Sequence, residues 1–221
     1  NGTLKNFHID AGISFLNSEL ISINIGGICG VNYGTIQNCS VGGYIHSCID
    51  QSRVGGIVGM NYGLVDSCFN HIGIIGGGDV GGIAGQLLTN GTIKNCTNFG
   101  ELTYIYNMDN RSIGGIVGYQ QSGSVIGCVN HGTYSFGGVQ DGDKKTDKDI
   151  MEINKKLHPR MAQIVGLCNG GITSNNSWDG TFNSGTLGVY KWTEGGLFNK
   201  KTYTNNQLEF AGNREIGVDY R

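Results

Sequence analysis

Proline is almost missing from this chain, at one residue in 221. Charge is scarce too: Asp, Glu, Lys and Arg make up 14%, against about 25% in ordinary globular domains. No run of about 18 apolar residues occurs, so no segment can cross a membrane as a helix. The net charge of -2, with no Lys/Arg-rich run outside Lys144 to Lys156, leaves no bulk attraction for nucleic acid. Cysteine pairs at the C-x2-C spacing of zinc sites are absent. H-E-x-x-H and G-x-S-x-G are absent as well, so neither a zinc peptidase helix nor a nucleophile elbow is encoded. No targeting segment is visible. The chain opens at Asn1 inside a repeat-like stretch, and it is read as part of a larger polypeptide.

What is present is glycine, 40 residues of it, against a usual share of about 7%. Glycine does not recur at every third position, which excludes collagen. Disorder fits poorly as well, because Ile, Val and aromatic residues return at fixed offsets where a disordered chain would carry charge. Val54-Gly55-Gly56-Ile57-Val58-Gly59 and its continuation to Cys68 is one of several copies. Others open at Ile25-Gly26-Gly27, Val80-Gly81-Gly82 and Ile113-Gly114-Gly115, and close at Cys39, Cys96 and Cys128. Aligned on the cysteine, the copies place Phe7, Cys39, Cys68, Cys96, Cys128 and Asn175 together, at spacings of 32, 29, 28, 32 and 47. Three residues earlier stand Leu4, Ile36, Val65, Ile93, Val125 and Ile172. Two residues after the cysteine come Asn70, Asn98 and Asn130. Such self-similarity marks a repeat architecture.

Short β-branched bursts separated by Gly and Asn read as strands and turns. No copy has a helical period, and none has a two-residue hairpin turn between matched runs. The pattern predicts an all-β parallel β-helix or β-solenoid of about five to six coils, right-handed, each coil hydrogen-bonded to the next at about 4.8 Å. Six coils would make a body roughly 25–30 Å long. Cys39, Cys68, Cys96 and Cys128 then form one buried column of free thiols. In-register stacking at about 4.8 Å suits a disulfide poorly, since the bond needs Cβ atoms about 3.5–4.5 Å apart, and buried free Cys behaves as a small apolar residue.

The whole of 1–221 reads as one solenoid domain: a first partial coil over 1–24, regular coils over 25–136, and an insertion over 137–160. A degenerate last coil over 161–178 and a C-terminal cap over 179–221 follow. The insertion is expected to hold one amphipathic helix, with Thr146 or Asp147 at its start, Ile150, Ile153, Asn154 and Leu157 on one face, and Pro159 past its end. In the last coil Ala-Gln at 162–163 replaces Gly-Gly, as terminal repeats tolerate. The cap carries both Trp-bearing and Tyr-rich segments and a short helix expected from Thr204, and would cover open strand edges.

The repeat G-G-I-V-G-x-N-x-G-x-[ILV]-x-[NS]-C resembles the GLUG motif, most closely at Gly55–Cys68 and Gly26–Cys39 and more loosely at Gly81–Cys96 and Gly114–Cys128. Asn176-Ser177-Trp178-Asp179 is similar to the N-S-Y-W-D that often closes such arrays. The resemblance implies a tandem structural repeat from a large secreted or surface-attached bacterial protein, such as adhesins or the non-catalytic regions of IgA-specific metalloendopeptidases. It implies no reaction and no cofactor.

Chemistry is sparse. Glycoside hydrolysis needs two carboxylates about 5–10 Å apart, and Asp10, Glu19, Asp50, Asp66, Asp79, Glu101 and Asp109 share no position in adjacent coils. Asp141, Asp143, Asp147 and Asp149 lack calcium-loop spacing. His71 and His131 share a repeat position with Phe99 between them, too far apart for one zinc. A threonine ladder through Thr3, Thr35 and Thr92 is interrupted by Leu64 and Ser124. Binding remains: Tyr33 and Tyr62 share a position in neighbouring coils with Tyr119 near in register, a surface for a host protein or glycan. The expectation is a non-catalytic, secreted or cell-surface repeat domain for adhesion, partner binding or spacing, with no catalytic, metal or cofactor residues. Its alternatives are a substrate-positioning domain of an IgA-type peptidase and, remotely, a polysaccharide-active enzyme.

Overall fold

The computed structural model describes residues 2–15, 22–49, 51–105, 112–137, 160–179 and 189–191. All of their regular structure is β, and every strand pairing is parallel. The expected helices over 137–160 and from Thr204 lie outside the described residues. Among the described residues no helix is long and apolar enough to cross a membrane.

The chain is a β-solenoid with four faces. Sheet I stacks Thr3–Lys5, Thr35–Gln37, Leu64–Asp66, Thr92–Lys94, Ser124–Ile126 and Ile172–Ser174. Sheet III stacks Asn24–Gly26, Arg53–Gly55, Asp79–Gly81, Ser112–Gly114 and Arg160–Ala162. Sheet IV runs through Cys29–Asn32, Val58–Asn61, Ala84–Leu87, Val117–Gln120, Val165–Cys168 and Val189–Lys191. Sheet II begins with two long strands, His8–Phe15 and Ser40–Ser47, and in later rounds each of these is divided in two. Thus all four sheets are visited in each of five rounds, and a sixth enters sheets I, II and IV. Thr3–Lys5 and His8–Phe15 are in full register with the round above, Thr3 to Thr35 and His8 to Ser40.

The core lies inside the coil. Ile36, Val65, Ile93 and Val125 of sheet I, Ile57, Ile83 and Ile116 of the turns, and Ile45, Ile74 and Leu102 of sheet II are all buried. The corner from sheet I to sheet II is turned the same way in all six rounds. Asn6, Asn38, Ser67, Asn95, Gly127 and Asn175 have φ between 53° and 62°, the left-handed region that Asn and Gly tolerate best. That regularity corrects the alignment of the last copy. Thr173, not Ile172, pairs with Val125, so Asn176, not Asn175, occupies the cysteine position, and its Oδ1 accepts the Cys128 N–H at 2.8 Å. The corner from Cys168 to Ile172 holds three residues, as that from Gln120 to Ser124 does, and Gly171, not Gly170, stands beside Gly123, so the hydrogen-bond ladder rather than the choice of glycine sets the register.

Division of sheet II has a side-chain cause. Asn70 Oδ1 accepts the Ile72 N–H at 2.9 Å while its Nδ2 donates to Ile72 O, and Asn98 does the same at Gly100. This side-chain turn bends the strand two residues on. Val41 holds the corresponding position of Ser40–Ser47, and there the strand runs unbroken. The same amides also bond to one another along the axis: Asn70 Nδ2 donates to Asn98 Oδ1 at 2.7 Å, and Asn98 Nδ2 to Asn130 Oδ1 at 2.8 Å. All three are fully buried.

The asparagine ladder also accounts for the second glycine of three of the four Gly-Gly pairs that open the repeats, whereas Gly27 makes room for Gly56 O and Ile72. A Cβ on Gly56, Gly82 or Gly115 would stand 2.3 Å from Asn70, Asn98 or Asn130. Gln163 takes that glycine's place in the fifth round, and its Oε1 accepts from Asn130 Nδ2 at 2.7 Å. The next round carries Trp178 opposite Asn130, so Gln163 supplies the partner that a fourth asparagine would otherwise provide. A shorter ladder joins Asn32 Nδ2 to Asn61 Oδ1 at 2.8 Å where sheet IV turns into sheet I.

Connections between sheets II and III vary in length, over 16–23, 48–52, 77–78, 106–111 and 138–159. The corners from sheet I to II and from III to IV hold two residues in every described round, and that from IV to I holds two to four. Asn98 sits mid-ladder, and replacing it strips partners from two buried amides and from the Gly100 N–H. Asn98→Ala is expected to lower unfolding free energy by about 2–4 kcal/mol, read from the urea midpoint at constant slope. A loss under about 0.5 kcal/mol would mean that water or packing replaces the ladder at no cost.

Candidate binding surface

All seven cysteines are free. Cys39, Cys68, Cys96 and Cys128 form one column, each exposed by no more than 1%. Each thiol turns back on its own chain: Cys68 Sγ donates to Asp66 O at 3.3 Å and Cys96 Sγ to Lys94 O at 3.2 Å. The column is knitted along the axis too, because the Cys68 N–H points at Cys96 Sγ, 3.4 Å away. The thiol contact with Cys96, together with burial, pushes the Cys68 thiol far above its ordinary range. Burial does the same to Cys96 and to the Tyr134 hydroxyl, which donates to Ala162 O at 2.7 Å. These groups are held neutral and inward, and none of them is placed to act on a ligand.

Charge on the described surface is sparse and locally answered. Burial opposes ionisation of Asp66, but hydrogen bonds from Ser67 and Asn95 and the Lys94 ammonium at 3.4 Å outweigh it, so its carboxyl lies below the usual range. Asp79 accepts from Gln86 Nε2 at 2.8 Å and from Ser112 Oγ at 2.6 Å. Among the described residues no group of three or more His, Cys, Asp or Glu is gathered for a metal ion. Glu19, Asp50, Asp109 and the acidic run at 141–149 lie outside the described residues.

The tyrosines divide. Tyr33 and Tyr62 stack, with ring centroids 4.7 Å apart and planes at 13°, and Tyr33 is 63% exposed. Tyr119 stands elsewhere. It pairs with Gln86 and so continues the column of Val31 and Met60, while its hydroxyl accepts from Asn169 Nδ2. Counted from the glycine that opens the strand, Tyr119 matches Met60. The tyrosine column itself passes on to Leu88, whose N–H bonds to Asn61 O just as that of Tyr62 bonds to Asn32 O.

A second ring column lies on the outer face of sheet II. Alternation along these strands turns the asparagine ladder inward and the residues beside it outward. His71 and Phe99 stack at 4.9 Å with planes at 2°, and Phe99 and His131 at 5.1 Å and 19°. Carboxylates stand at both ends. His131 Nδ1 lies 2.5 Å from Asp179 Oδ1, and Asp10 Oδ1 fills the space above Gly42, the place a Cβ would take. Asp10 is itself 3.2 Å from His8 Nε2, and His8 Nδ1 meets Ser40 Oγ at 2.7 Å. Phe69, 43% exposed, stands one outward position before His71, and Tyr44, 57% exposed, one position further along the previous round. The shared position of His71, Phe99 and His131 is legible in the sequence. Their mutual stacking on an outer face is not, because it depends on which side of the strand they leave.

The sequence model of the GLUG motif matches residues 76–103. That span opens at the end of Gly73–Gly76 and carries the chain once around the solenoid to Leu102–Ile105, through the column positions of Cys96 and Asn98. No curated protein and no solved structure matches the chain.

The thiol column sets the alkaline limit of stability. Cys68 and Cys96 stay protonated in the fold and ionise near pH 8.5 once unfolded, so the unfolded state holds fewer protons above that pH. Stability is therefore complete below about pH 8.5 and falls as pH rises, by about 1.4 kcal/mol per pH unit for each such thiol. Thermal midpoints are expected to drop between pH 8 and 10, and Cys68→Ala to flatten the slope. A midpoint independent of pH over that range would contradict the neutral column.

Proposed function

We propose that this chain is a non-catalytic repeat domain of a secreted or cell-surface bacterial protein, which holds a glycan against the outer face of sheet II. The observation that carries the reading is the ring column of His71, Phe99 and His131 with Phe69 and Tyr44 beside it. The stacked rings of His71, Phe99 and His131 make a file one ring wide between carboxylates, which is not the broad apolar patch that marks protein interfaces. Rings offer apolar contact to the C–H surface of a sugar, and the His8, His71, His131 and Asp10 side chains offer hydrogen-bond partners to its hydroxyls. The likeness of the repeats to GLUG arrays of secreted and surface-attached proteins supports the location.

A rigid scaffold suits such a role. Ring positions are set by backbone ladders, so little side-chain freedom is lost on contact. Adhesion and spacing are then one property, since the rod that separates neighbouring domains also displays the strip.

A glycan array probed with the whole chain tests this, with an immunoglobulin panel run in parallel. Phe69→Ala/Phe99→Ala is expected to weaken glycan binding by about tenfold or more, with an unchanged far-ultraviolet circular dichroism spectrum. Binding to immunoglobulin alone would favour the substrate-positioning domain of an IgA-type peptidase. Release of reducing ends from a polysaccharide panel would overturn the non-catalytic reading.

A further inference from the structure

We propose that His46 and Cys48 form a reactive thiol site that accepts small disulfides, with Cys48 Sγ as nucleophile and His46 Nε2 as proton acceptor. The two side chains leave the same face of Ser40–Ser47 and its continuation, because Ser47 between them is fully buried. They meet at 3.5 Å, within reach of an S–H to nitrogen hydrogen bond.

Cys48 differs from the column thiols in each respect that governs reactivity. Its partner is a base rather than a carbonyl, and it is partly exposed where those four are buried. Its neighbour in the following round carries no side chain: the Gly77 N–H bonds to Ser47 O at 3.1 Å, which sets a glycine beside Cys48. Nor does stacking produce the pair. The neighbours of His46 in its column are Ser14, Ile75 and, one round further, Thr103, so the imidazole occurs in one round only. Positions required by the solenoid recur, and these two do not.

The step balances without a metal or an external oxidant beyond the disulfide itself. Nε2 takes the thiol proton, the thiolate attacks one sulfur of R–S–S–R, and a Cys48–S–S–R bond forms as R–S⁻ leaves and recovers the proton from the imidazolium. Cys48 is thereby oxidised and the departing thiol reduced. This site is independent of the glycan reading, and its test involves no glycan.

The whole native chain, treated with 5,5′-dithiobis(2-nitrobenzoate) at pH 7, is expected to release one fast equivalent of thionitrobenzoate, located at Cys48 by peptide mapping under acid. Its rate should exceed that of the same thiol in the guanidinium-unfolded chain by about tenfold. His46→Ala should slow it about tenfold, and imidazole added to the buffer should restore it. Fast labelling at Cys29 or Cys168 instead, or equal rates in the native and unfolded chains, would overturn the proposal without recourse to any variant. A His46→Ala rate that is unchanged, or that falls and is not restored by imidazole, removes His46 as the proton acceptor and overturns it equally.

Discussion

Backbone hydrogen bonding between successive rounds is the constraint on which everything else rests. Once residue and partner are locked about 4.8 Å apart, each side chain has its neighbours chosen for it, one above and one below in its own column. A column inside the coil must therefore be made of residues that tolerate copies of themselves. Isoleucine and valine do so by packing, cysteine by being small and turning its proton to a carbonyl. Asparagine does so because one amide donates to the next while its remaining groups satisfy the turn. The same rule governs column ends. Asn130 has no asparagine above it, and Gln163 enters the site of a deleted glycine to accept its free N–H.

Corners obey a different demand. The turn from sheet I to sheet II is left-handed at one residue in all six rounds, and Asn, Ser and Gly share the position. Between sheets III and IV the chain instead makes room for a neighbour's amide. Two kinds of glycine thus coexist in the repeat. One is needed for a backbone angle and the other for the absence of a side chain.

Much of this was legible in the sequence, and the exceptions have physical causes. The motif spacing reveals columns, so the parallel solenoid, the members of the cysteine column and the Asn70, Asn98 and Asn130 position could all be read from it. It does not reveal which way a residue leaves the strand. Tyr119 belongs to another column, two residues before Gln121, where the tyrosine column passes, and the stack through His71, Phe99 and His131 emerges only with coordinates. Register at the degenerate end also escapes counting: two adjacent glycines offer themselves for one corner position, and the ladder selects Gly171, which makes Asn176 and not Asn175 the successor of Cys128. The His46–Cys48 pair carries no repeat signal at all, and only the alternation about Ser47 marks it.

Every inter-round hydrogen bond points along the axis of the rod, which fixes how it meets mechanical load. Tension along that axis pulls on the bonds in series, so rounds peel one after another instead of shearing together. From Phe7 to Cys128 a round is 28 to 32 residues long, as the spacing of the cysteine positions shows, and it occupies only about 4.8 Å of height. Fully drawn out, the same residues reach about 100 Å. The body is thus stiff in compression and bending, yet it holds some twentyfold of reserve length that stretching releases in steps.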